Sequence, residues 1–192
     1  RENRCLMVEG YTDVLSLHQS GVENVVASSG TSLTIGQIQL LHRFTSNVTL
    51  LYDGDAAGMQ ATEKGSDLLL QEGMNVKILI LPQDEDPDSF CRKHSAQEVQ
   101  DYIRDNQMDF IHFRINRMMK EIAGDPLRKS ELIKTIIQSI SLIPDEITRS
   151  VYMKESADAL NVEERMLVKG VAQVRQKRRE EKNKNNAPET AK

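Results

Sequence analysis

The sequence predicts an α/β fold, a mostly parallel sheet flanked by helices, followed by a small all-α helical subdomain. Short continuous apolar runs alternate with helical stretches between residues 4 and 81. Those runs lack apolar/polar alternation, as strands buried on both faces do. From about residue 95 the apolar residues recur at helical spacing instead. The 192 residues suffice for one domain and a second small one.

The elements follow in order. "RCLMVEG" gives a short buried strand at 4–8 that runs into Glu9 and Gly10. Thr12 or Asp13 is expected to cap a helix running to about Gln19 and ended by Gly21. "ENVVAS" is a second strand, followed by the small-residue loop "SSGTSLT" (28–34) and a helix. Thr34 and Gln37 have capping-box spacing. "NVTLLY" is a third strand, and a helix weakened by Gly65 and ended near Gly73 follows it. "NVKILIL" is a fourth strand, stopped by Pro82 and followed by an acidic loop, "PQDEDPDSF".

Ser95 and Glu98 form a second capping box, and four more helices are expected after the one they open. The expected organisation is 1–94 for the α/β domain, 95–176 for the helical bundle and 177–192 for a polar, disordered tail.

Charge is uneven. Residues 1–95 carry 7 Lys/Arg against 13 Asp/Glu, and residues 96–192 carry 18 against 16. An acidic first half is poor footing for unaided nucleic-acid binding. It still suits phosphates bridged by divalent cations. Two cysteines without a CxxC pair exclude a cysteine-only zinc site within this chain. No apolar run reaches 18 residues, so no membrane partner is expected and the reading is cytoplasmic. The chain starts at Arg1 without an initiator Met, which suggests a piece of something longer.

Three of the four expected strands lead into acids: Glu9, then Asp53 and Asp55, then Asp84, Glu85, Asp86 and Asp88. In an open α/β sheet that edge is the usual ligand site. Clustered carboxylates repel unless a cation lies between them, and Mg²⁺ or Mn²⁺ prefers oxygen ligands. Single acids such as Asp13, Asp55 or Asp88 serve equally as helix caps. The "SSGTSLT" loop suits a phosphate at a helix N-terminus, or is an ordinary connection.

Together "VEGYTD", "SSGTSLT", "YDGDAAG" and "EDPD" resemble the Toprim domain of bacterial DNA primases. The helical part resembles the segment that follows Toprim in the primase polymerase core. The resemblance covers about residues 4–175 and weakens after 95. It implies a Toprim-like sheet and a nucleotidyltransferase that makes RNA primers on single-stranded DNA for replication. It also implies that Glu9, Asp53 and Asp55 are catalytic and bind metal, with Asp86 and Asp88 as further metal ligands. Gly10, Asp13, Ser29, Gly30, Thr31, Asp86 and Asp88 would position the ribonucleoside triphosphates.

The chain departs from the family pattern at Asp84, where many relatives have Gly, and at Ala56, where some have Arg. The implied partners are the DNA template, the RNA primer and a replicative helicase. The helicase-binding domain, the N-terminal zinc-binding domain and a basic subdomain are expected to lie outside this chain. The alternatives are another Toprim nuclease or topoisomerase piece, or a non-catalytic docking module. In the last case the basic stretch "RQKRREEK" (175–182) is a linker helix.

Overall fold

A computed structural model of the chain describes residues 3–29, 33–52, 56–82, 85–122 and 124–185. It comprises two compact units, 1–113 and 114–192. The boundary therefore falls about twenty residues later than the sequence suggests.

The first unit begins with β1 (Cys5–Val8), α1 (Tyr11–Gln19), β2 (Val25–Ala27), α2 (Ile35–His42) and β3 (Asn47–Tyr52). It continues through α3 (Ala56–Gln71), β4 (Asn75–Ile80), α4 (Pro87–Lys93), α5 (Ala96–Asn106) and β5 (Met108–Asp109). The sheet order is β2-β1-β3-β4-β5. The first four strands are parallel, and β5 joins β4 antiparallel through Lys77–Asp109 and Ile78–Met108.

All four residues of β1 are buried, as its unbroken apolar run requires. Leu6 and Val8 pack with Leu17, Leu51, Leu79, Phe90, Val99 and Ile103. The last two belong to α5, which is why the unit extends beyond residue 94. Both sequence-read capping boxes are formed, at Thr34–Gln37 and Ser95–Glu98. Gly73, with φ +79°, follows the end of α3.

Two elements were not legible as such. The acidic "loop" contains α4, capped by Asp86 with Pro87 in the first turn. Residues 108–109 form a strand rather than the start of a helix.

α6 (Phe110–Ile122) runs across the boundary at 113/114. The second unit then holds α7 (Pro126–Leu142), α8 (Glu146–Leu160) and α9 (Glu164–Asn185). Asp125 and Asp145 cap α7 and α8, accepting from Leu127 N at 2.9 Å and Thr148 N at 2.6 Å. Leu132, Ile136, Ile140, Ala157, Leu160, Leu167 and Val171 are buried in this unit. Gly170 lets α9 approach α7 closely: a methyl there would meet Ile137 Cδ1 at 2.5 Å. α9 reaches Asn185, so at least nine residues of the expected disordered tail are helical. Its Lys, Arg and Glu residues are good helix formers even where nothing covers them.

Candidate metal centre

The C-terminal ends of β1, β2 and β3 lie on one edge, because the three strands run parallel. β1 ends at Val8, so Glu9 and Gly10 follow on that edge, both half-buried. β3 is the direct neighbour of β1, in the register Met7–Leu50. Two residues beyond that pair come Glu9, just past the end of β1, and Tyr52, the last residue of β3. Asp53 and Asp55 follow Tyr52 in sequence but lie outside the described residues.

The loop after β2 is tied to this edge. Ser28 N donates to Val8 O at 3.1 Å, and Ser29 N donates to Glu9 O at 3.0 Å. Ser28 is buried, and nothing in the sequence distinguished it from its neighbours. Ser29 is exposed and has a φ of +57°, a left-handed conformation uncommon outside Gly, Asn and Asp. Gly30 and Thr31 lie outside the described residues.

The remaining acids have local partners. α1 is capped by Gly10, not by Thr12 or Asp13 as the sequence suggests. Asp13 sits one turn in, where its carboxylate accepts from Gly10 N at 3.1 Å. A side chain at position 10 would crowd that carboxylate, at 3.2 Å from Oδ2. Asp86 caps α4, accepting from Ser89 N at 2.6 Å, while Asp86 N donates to Ser89 Oγ at 3.0 Å.

Asp88 bridges two helices. Ser16 Oγ on α1 donates to Asp88 Oδ1 at 2.5 Å, and Arg92 Nη2 lies 2.8 Å from Asp88 Oδ2. These residues line a cavity of about 530 Å³ with Thr12, Cys91 and His94. Glu85 accepts from Lys93 at 2.8 Å and from Ser89 at 2.9 Å. Those two bonds, Lys93 first, lower its carboxyl pKa. The Ser16–Asp88 link spans 72 residues, and no sequence signal announced it.

Among the described residues no three His, Cys, Asp or Glu side chains form a metal-holding group. Of the three principal acids only Glu9 is described. Its place fits a divalent cation: a half-buried carboxylate at a strand end, on the strand beside the one leading to "DGD".

Comparison with known proteins bears on this edge. Residues 6–91 match the family described as Toprim-like, and residues 111–165 match the DnaB-helicase binding domain of primase. The second match overturns the expectation that a helicase-binding domain lies outside the chain. Helical periodicity identifies a bundle but not what it docks to.

A DNA primase of Clostridium acetobutylicum is 38% identical over 165 residues, which are 84% of this chain and 27% of that protein. The chain thus spans about a quarter of the length of that relative. The E. coli primase catalytic core aligns with a TM-score of 0.74 at 34% identity, over 85% of this chain and 53% of that one. A DNA primase domain from Pseudomonas aeruginosa gives a TM-score of 0.77 at 25% identity, over 91% and 54%. Sheet order and both family matches agree: the chain belongs to the Toprim-containing DNA primases.

Proposed function

We propose that this chain is the metal-binding part of a primase that joins ribonucleotides into RNA primers on single-stranded DNA. The carrying observation is that β1, which runs into Glu9, pairs directly with β3, which ends at Tyr52, the residue before Asp53 in the sequence. Glu9, Asp53 and Asp55 are the proposed ligands of Mg²⁺ or Mn²⁺. A divalent ion held there neutralises triphosphate charge and favours ionisation of the primer 3′-hydroxyl.

The chain's own residues then have separate parts. Gly10 keeps the backbone open beside the metal, and Ser29, Gly30 and Thr31 offer donors to the triphosphate. Asp13 fixes the start of α1. Asp86 and Asp88 shape the acidic loop, Asp86 by capping α4 and Asp88 by linking it to α1. Their further part as metal ligands rests on the family resemblance. The match at 111–165 supports helicase docking through the helical region.

Calorimetric Mn²⁺ titration of this chain and its Asp53→Asn form, at unchanged folding, tests the centre. Binding that vanishes in the variant supports it. Equal binding in both forms removes Asp53 from the site.

A further inference from the structure

The metal centre leaves the basic run "RQKRREEK" unexplained. It lies on α9, where Arg175, Arg178, Arg179 and Lys182 stand at i, i+3, i+4 and i+7, on one face. Arg149 of α8 joins them at the end of α7. Its Nη1 donates to Ile143 O at 2.8 Å and Pro144 O at 2.5 Å. Arg175 Nη1 donates to Ser141 O at 2.9 Å and to the same Ile143 O at 3.2 Å.

Two guanidinium groups therefore share one carbonyl, at a helix end that carries partial negative charge. That accounts for Arg149 and Arg175. It does not account for Arg178, Arg179 or Lys182. Among the described residues no carboxylate forms an ion pair with any of the four arginines. Burial first, then the charges of Arg149, Arg179 and Arg178, lower the Arg175 pKa, and Glu146 opposes them least. Residues 175–184 hold six basic side chains against two acidic ones. An ordinary solvated helix face mixes signs so that neighbours pair. This one gathers like charge and leaves it unneutralised.

We propose that the face formed by Arg149, Arg175, Arg178, Arg179 and Lys182 binds the phosphodiester backbone of a nucleic-acid strand. The choice of polyanion rests on the nucleotidyl-transfer reading above. Guanidinium forks match phosphate oxygens in pairs, and the patch is mainly arginine. From Arg175 to Lys182 the helix rises about 10 Å. At the per-strand spacing of duplex DNA, about 3.4 Å, that reaches about three phosphates. Such contacts hold a strand without reading its sequence.

The test is fluorescence anisotropy of a labelled single-stranded oligonucleotide with this chain, in EDTA, from 50 to 200 mM salt. The variant R178E/R179E leaves the two carbonyl-bound arginines in place, and R178Q/R179Q repeats the test without charge reversal. Each lost contact lowers the log–log salt slope by about 0.7. R178Q/R179Q should therefore lower it by about 1.4, so that the ratio of parent to variant affinity falls about sevenfold between 50 and 200 mM salt. K134E/K154E, with the same net charge as R178E/R179E, should change binding less than twofold.

Unchanged binding in R178E/R179E overturns the proposal, as does an equal loss in K134E/K154E. Displacement by polyglutamate as readily as by unlabelled oligonucleotide overturns it in favour of an acidic protein partner. The readout is free of metal, so its failure is separate from failure at Asp53. A chain that binds Mn²⁺ through Asp53 but binds no oligonucleotide refutes only this inference.

Discussion

Replacing Gly170 with Ala tests how closely α7 and α9 pack. The new methyl falls 2.5 Å from Ile137 Cδ1 and 3.2 Å from its Cγ1 and Cγ2. Helix propensity alone favours Ala by about 1 kcal/mol. Overpacking of this kind costs about 1–3 kcal/mol. Ile137 Cδ1 can swing away about χ2, but Cγ1 and Cγ2 are held by the stiff χ1 of a β-branched side chain, which puts the cost near the middle of that range.

The expected result is a net loss of about 1 kcal/mol, or a fall in melting temperature of roughly 2–4 °C. Ile137→Val removes Cδ1 and costs about 1 kcal/mol alone. Combined with Gly170→Ala it relieves the worst contact, so the double variant should beat the sum of the singles by about 1 kcal/mol. Urea denaturation of the four proteins, followed by circular dichroism, measures all these terms. A Gly170→Ala protein stabilised by about 1 kcal/mol with Ile137 intact would refute the close approach, since propensity alone would then be acting.

Other expectations concern both units. Asp86→Ala should cost about 1 kcal/mol of stability through the lost α4 cap, read by chemical denaturation. Ser16→Ala and Asp88→Ala should each destabilise by about 1 kcal/mol, and the pair by less than their sum, because both remove one bond. Burial raises the Cys5 thiol pKa to about 11. The stability this gives is present below the unfolded thiol's pKa near 9 and is lost as pH rises through about 11. Cys5→Ala should flatten that decline in melting experiments. The Asp145 carboxyl is lowered, first by its bond from Thr148 N, so its contribution is lost as pH falls below the ordinary Asp value. Asp145→Asn should make thermal stability less dependent on acid pH.

The strands were readable because burial on both faces writes itself as uninterrupted apolar runs, as in Cys5–Val8. Local bonds were readable too: both capping boxes join residues three apart. What escaped was either very short or distant in sequence. Met108–Asp109 is too short to show a period, and its strand state comes from pairing with Lys77 and Ile78. α4 was hidden by its own acids, although Asp-Pro at 86–87 is a helix-start signal. At the candidate site Glu9 could be placed from the sequence, because strand ends are local. The Ser28–Val8 tie and the Ser16–Asp88 bridge needed the folded chain.

The position of β1 within the sheet also bears on synthesis. Leu6 pairs with Val25 on one side, while Cys5 pairs with Val48 on the other. A ribosome completes the first pairing well before Asn47–Tyr52 exists. Until then one edge of "CLMV" is an apolar template with unpaired backbone groups, the kind of edge that recruits foreign strands. The strand that places Glu9 therefore depends on the timely arrival of the strand leading to "DGD". Slow translation between residues 27 and 47 would lengthen exposure of that edge and raise the aggregated fraction without altering the finished fold.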